Sequence, residues 1–119
     1  MRKVIPGAQS ASGRPISGAV IANGFVFVAG QSFVEGADIE AQTRGVIDKI
    51  SGLLEEAGTD LAHAVRCTVY MSDLSLRDRM SAIYQEYFVS AFPARAVVGA
   101  DLGSPKCLVE IECTAVLRE

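Results

Sequence analysis

The chain has a single histidine, His63, and only three cysteines, Cys67, Cys107 and Cys113, among its 119 residues. The cysteine count is odd and contains no C-x-x-C pair, so neither a disulfide framework nor a structural zinc site is expected. Strand-like neighbours flank each cysteine, which reads as buried, reduced thiols in a cytosolic protein. No apolar run is long enough to span a bilayer and no signal-peptide core opens the chain, so a soluble, cytoplasmic, non-membrane protein is expected. There is no glycine loop ending in lysine, no G-x-S-x-G elbow, and Gly30-Gln31-Ser32 opens no helix, which removes the common nucleotide and hydrolase signatures. Cations are scattered and the net charge is −3, so nucleic-acid binding is disfavoured.

Half of the residues are hydrophobic. At this length that suits one domain over residues 1–119 with a single core, and the surplus apolar surface points to a homo-oligomer. Ser17 to Ala22 and Phe25 to Gly30 read as strands joined by Asn23-Gly24, a strong hairpin signal. The second strand lacks polar alternation, so both its faces are expected to be covered, and Gly30 is expected to end it. Apolar residues from Ile39 through Val46, Ile47, Ile50, Leu53, Leu54 and Ala57 keep helical spacing, with Asp38 as N-cap and Gly58 just past the end. Gly45 and Gly52 inside that helix suggest close approach to a sheet. Val65 to Met71 alternates as a strand. Ser75 is expected to cap a second helix with Leu76, Met80, Ile83, Tyr84, Tyr87 and Phe88 facing inward. Ala96 to Ala100 and Cys107 to Leu117 complete a ββαβαββ order. That order predicts an α+β domain, with both helices on one face of a mixed sheet and the other face left for oligomerisation.

Arg95 carries the sharpest chemical signal. It sits in Phe92-Pro93-Ala94-Arg95, at the mouth of an apolar run, where an unpaired guanidinium would be costly. Its planar fork suits a carboxylate, either an internal acid or a substrate. Glu110 and Glu112 share one face of the last strand by the two-residue period, while Cys107, Val109, Ile111 and Cys113 line the other. Acid pairs on a sheet face are most often solvated. A half-buried one beside a cleft can instead hold and polarise a water. Cys107 reads better as a structural thiol than as a nucleophile, His63 as a surface residue, and Tyr84 and Tyr87 as core.

These residues line up with a known family. Asn23 to Gln31, Gln42-Thr43, Leu53 to Gly58, Val69 to Leu74, Ile83 to Phe88, Phe92 to Arg95 and Val109 to Glu112 together resemble the RidA (YjgF) family across nearly the whole chain. The resemblance implies a chorismate-mutase-like α+β fold and a homotrimer with its sheets forming a central barrel and ligand clefts between subunits. It also implies hydrolysis of reactive enamines and imines to 2-oxo acids and ammonia, with neither metal nor organic cofactor. In that scheme Arg95 grips the substrate carboxylate, Glu110 helps place the attacking water, and the backbone around Cys107 lines the cleft.

The chain departs from the family pattern at substrate-facing positions. Ile16 stands where a tyrosine is common, Ala29 where a serine is, Met80-Ser81-Ala82 where an asparagine is expected, and Val97 where cysteine is frequent. The implied cleft, with Ile16, Ala29 and Ser81 among its substrate-binding positions, is more apolar, suited to a bulkier substrate or a diverged activity. Two rival readings remain: a non-catalytic module that binds a small carboxylate, and an endoribonuclease, which the acidic charge makes the weakest.

Overall fold

The computed structural model describes residues 1–88 and 91–118. Its strands are β1 (Lys3–Ile5), β2 (Ala19–Ala22), β3 (Phe25–Ser32), β4 (Ala64–Met71), β5 (Ala94–Gly99) and β6 (Val109–Val116), in the sheet order β1-β2-β3-β6-β4-β5. Only β4 and β5 run parallel, so the sheet is mixed, as expected. Asn23 (φ 52°) and Gly24 (φ 78°) both take positive φ between β2 and β3, the conformation a two-residue hairpin turn requires.

Several expected boundaries shift. β2 begins at Ala19 rather than Ser17, because Gly18 donates instead to the Pro6 carbonyl. β3 passes through Gly30 to Ser32 by a change of register between Val28 and Gln31, so the glycine bends the strand without ending it. β5 starts two residues early, which places Arg95 inside a strand, and β6 begins only at Val109, leaving Cys107 just outside it. Leu117, the expected end of that strand, likewise falls outside β6. The sequence does not announce β1 or the five-residue helix α1 (Gly7–Ala11), since three and five residues carry too little periodicity to mark an element.

Helix α2 (Ile39–Ala57) is bounded as the sequence predicts. The Asp38 carboxylate accepts from the Ala41 amide at 2.8 Å, and Gly58 ends the helix in the left-handed region. Helix α3 (Arg77–Tyr87) follows a short 3-10 turn, Leu74–Leu76. The cap there is Asp73, not Ser75: its carboxylate accepts from both the amide and the hydroxyl of Ser75. Met80, Ile83, Tyr84 and Phe88 are buried, whereas Leu76 and Tyr87 are only half-buried. The core lies between these helices and one sheet face, from Val26 and Val28 through Cys113, Ile111 and Val109 to Cys67, Val69 and Met71. No described element covers the opposite sheet face. Contrary to the expectation for β3, Phe25 and Phe27 stand 41% and 48% exposed there, on the same face as Val4 of β1 and, across the sheet, Val98 of β5.

Gln42 ties this frame to the start of β6. The side chain is 2% exposed; its amide nitrogen donates to the Gly36 and Lys106 carbonyls (3.1 and 2.8 Å) and its oxygen accepts from the Leu108 amide (2.9 Å). Gln42→Leu strands all three backbone groups and is expected to cost about 3 kcal/mol, read as a lowered urea midpoint.

The two glycines inside α2 have different reasons. A β-carbon on Gly45 would collide with the Phe33 ring, so close approach there is real, although the partner is a ring rather than the sheet. A β-carbon on Gly52 would meet nothing within 4 Å. Gly52→Ala is therefore expected to raise stability by about 1 kcal/mol and Gly45→Ala to lower it by a similar amount or more. Paired denaturant titrations would check both.

Candidate functional site

Arg95 lies on β5, the outermost strand at its end of the sheet. Its register partner is Cys67, which is opposite Cys113 on β6, and both thiols are buried on the helix-covered face. Arg95 therefore points to the helix side, onto α3. Its guanidinium carbon stands 5.0 Å from the centre of the Tyr84 ring, and one terminal nitrogen donates to the Ser81 hydroxyl at 3.1 Å. Stacking plus one hydrogen bond holds the fork while leaving most of its N–H groups free. Pro93, Phe92 and Gln85 complete a hollow of about 270 Å³ around it, with Phe92 63% exposed.

Below this hollow the Tyr84 hydroxyl is buried without a hydrogen-bond partner among the described residues. Burial pushes its ionisation up, with the neighbouring Cys67 adding to the shift. Cys67 is the more acidic thiol of its pair, because the adjoining Cys113 thiol and, less strongly, the Arg95 charge favour its ionised form; Cys113 is pushed up in turn. Among the described residues no ion pair joins Arg95 to Glu110 or Glu112, so the internal partner left open by the sequence is not used.

Glu110 occupies the opposite sheet face, half-buried, with Ser32 and Tyr70 as register partners. Its carboxylate lies directly over Gly30: a β-carbon there would stand 2.5 Å from one carboxylate oxygen. Glycine at position 30 leaves room for the carboxylate in this position, and Ala29 adjoins it in the strand's change of register. Cys107, 3% exposed, directs its thiol to the Val109 carbonyl at 3.6 Å. Burial pushes the Cys107 thiol up, the Glu110 charge adds to this, and the Val109 backbone and Ser32 oppose it. A thiol so shifted is a poor nucleophile, in line with its structural reading. Glu112, two residues along, accepts from the Tyr70 hydroxyl at 3.1 Å, and this contact raises the tyrosine's ionisation.

The expected site residues thus form two groups. Arg95 and Ser81 are in contact; Glu110 lies over Gly30 beside Ala29, with Cys107 close enough to feel its charge. Ile16 is half-buried in the segment after α1, its amide bonded to the Arg14 carbonyl at 2.8 Å. Between the groups lie two strand spacings and three residues of offset (Arg95 opposite Cys67, opposite Cys113, then back to Glu110). That is about 14 Å of backbone. Three is an odd step, so Arg95 and Glu110 face opposite sides of the sheet and cannot meet on one ligand within one chain.

Tyr84 is buried, in keeping with its core reading, yet it also forms the platform for Arg95. The four-residue step from Ser81 to Gln85 and the Phe92-Pro93 pair are the sequence signals for this hollow. His63 stands well away, its ring nitrogen 2.6 Å from Asp60. Among the described residues no group of three or more His, Cys, Asp or Glu side chains could hold a metal ion, and no helix is long and apolar enough to cross a membrane.

Comparison with known proteins agrees with this architecture. The family model described as Endoribonuclease L-PSP matches residues 8–117. A RutC family protein of Pyrococcus abyssi is 39% identical over 109 residues, covering 85% of each chain. The goat protein named 2-iminobutanoate/2-iminopropanoate deaminase is 30% identical, over 98% of this chain and 90% of its own. A crystal structure of a YjgF family member from Neisseria meningitidis superposes with a TM-score of 0.91 at 31% identity, covering 100% of this chain and 97% of that one. The α+β fold and the near full-length match converge: this chain belongs to the RidA (YjgF) family and has its fold.

Proposed function

We propose that this protein is an enamine/imine deaminase that hydrolyses 2-imino acids to 2-oxo acids and ammonia. It would act as a homotrimer in which Arg95 of one subunit and Glu110 of its neighbour address the same substrate. The observation that carries the reading is the held but uncommitted guanidinium: Arg95 is fixed by Tyr84 and Ser81, has no carboxylate partner among the described residues, and opens onto a hollow. A 2-imino acid brings the missing carboxylate, which a planar fork binds with two parallel hydrogen bonds. The sheet order favours a shared site, since β5 is an edge strand whereas Glu110 is interior, and the open face carries the apolar residues an interface needs.

Chemically, the protonated imine carbon is electrophilic and needs only a well-placed water. Glu110 takes one proton from that water as its oxygen bonds to the imine carbon, giving a carbinolamine. It returns the proton to the amino nitrogen. The carbon–nitrogen bond then breaks while the hydroxyl proton leaves through the same carboxylate, so one water is consumed and one ammonium released. The step calls on no metal or cofactor. The relative named a deaminase supports the reaction class. The endoribonuclease description attached to the family model finds less support, because the open face sets Arg66 diagonally across from Glu112 rather than in a basic stripe.

A competition assay tests the proposal. An amino-acid oxidase generates 2-imino acids from a panel of amino acids, and semicarbazide traps the imine that survives. The protein is expected to lower semicarbazone formation, most strongly for branched or aromatic side chains given the apolar Phe92, Pro93 and Ile16. No effect across small, branched and aromatic members would leave carboxylate binding without turnover as the working function.

A further inference from the structure

A second cavity, of about 430 Å³, is lined by neither Arg95 nor Glu110. It lies between the α1 segment and one face of α2, with the end of β3 as its floor. Lys49, Gly52 and Glu56 face it from α2 at steps of three and four, a single stripe of helix surface. Gln9 and Arg14 face it from the α1 side and Gln31 from β3.

Residue 52 is the informative one. Glycine in a helix interior weakens the helix, and here neither a positive φ nor a close neighbour explains it. Its lack of a side chain keeps the wall of this cavity open. The floor is also unfinished. Gln31 is 3% exposed; its amide nitrogen gives one hydrogen bond to the Ala29 carbonyl at 3.0 Å, and its oxygen receives only a long contact from Gln9 at 3.4 Å. Among the described residues each polar atom of this buried amide has one partner, which leaves one N–H and one lone pair available to a ligand.

The charges complete the pattern. The ion pairs among the described residues use Arg44, His63, Arg79 and Arg118, and neither Arg14, Lys49 nor Glu56 takes part. Lys49 is held by the Ser32 carbonyl at 2.7 Å and by the Phe33 ring at 5.5 Å, with two N–H donors remaining. Glu56 stands two turns further along, about 10 Å by helix rise, and both long side chains can reach inward. Lys49 at one end of the α2 stripe and Glu56 at the other, with Arg14 on the facing α1 side, favour a zwitterion over a simple anion.

We propose that this cavity binds a free amino acid, its carboxylate on Lys49 and Arg14, its ammonium on Glu56, and its body against Gly52 and the Gln31 amide. The site is independent of the hydrolytic reading. Calorimetric titration of the full chain with the common amino acids, their 2-oxo acids and the corresponding amines tests it, in wild type and in Arg95→Ala.

At least one amino acid is expected to bind saturably to both proteins, and in Arg95→Ala, where the hydrolytic cleft no longer grips carboxylates, its 2-oxo acid and amine bind at least about tenfold more weakly, one charge-assisted contact being worth that much. Gly52→Leu is expected to abolish binding while its thermal midpoint stays at or above that of wild type, and Lys49→Met to weaken it about tenfold or more. The proposal is overturned by any of three results: no amino acid binding at millimolar concentration, binding lost in Arg95→Ala, or binding undiminished in Gly52→Leu. Equal affinity for the 2-oxo acid in Arg95→Ala would overturn the zwitterion assignment and leave an anion site. Because the probes are stable amino acids, failure of imine hydrolysis does not affect the outcome.

Discussion

Glu110→Gln is expected to cut imine turnover by about 10²–10⁴-fold, the range that general acid–base catalysis supplies, while binding of a 2-oxo acid product stays nearly unchanged. Glutamine keeps the shape of the side chain and can still lie over Gly30, the residue whose missing β-carbon leaves room for the carboxylate. It cannot accept a proton from water. The loss should therefore fall on kcat and not on KM, the sign of an interaction made in the transition state. Single-turnover trapping with semicarbazide separates the two. Equal losses of binding and turnover would instead mark Glu110 as a structural acid that shapes the β3–β6 region.

Arg95→Ala is expected to weaken carboxylate binding by about a hundredfold or more, since each hydrogen bond to a charged group contributes about 1.5–3 kcal/mol and the fork makes two. Arg95→Lys should recover only part of it, because a point charge neither stacks on Tyr84 in the same way nor binds with two parallel hydrogen bonds. The opposite-face placement adds a sharper test. Mixing Arg95→Ala with Glu110→Gln subunits, each inactive alone, is expected to restore about a quarter of wild-type activity if every site takes one residue from each of two subunits and mixing is random. A mixture as dead as its components would mean that the two residues do not share a site across an interface.

Much of the molecule was legible because it is local. Asp38 reaches only three residues to Ala41, Gly58 takes the left-handed conformation that glycine adopts without a β-carbon clash, and Asn23-Gly24 closes a two-residue turn. The buried stripe of α2 follows from a 3.6-residue period that any window of the chain displays. The same locality explains the small errors. Asp73 and Ser75 are both good capping types two residues apart, and which of them accepts the amide is a matter of a single turn's geometry.

The relation between Arg95 and Glu110 was not legible. Each residue type could be read for its chemistry, and the alternation of β6 correctly divided Glu110 and Glu112 from Ile111 and Cys113. Whether Arg95 shares their side depends on pairings between residues far apart in the chain: Arg95 with Cys67, and Cys67 with Cys113. One residue of slip in either pairing would move Arg95 to the acid face, and nothing within a few residues of any strand encodes that choice. Chain-local hydrogen bonding and periodicity specify which elements form and where they stop. The side a strand residue faces, and with it the division of this site between two surfaces, is decided by how the core packs the strands against α2 and α3.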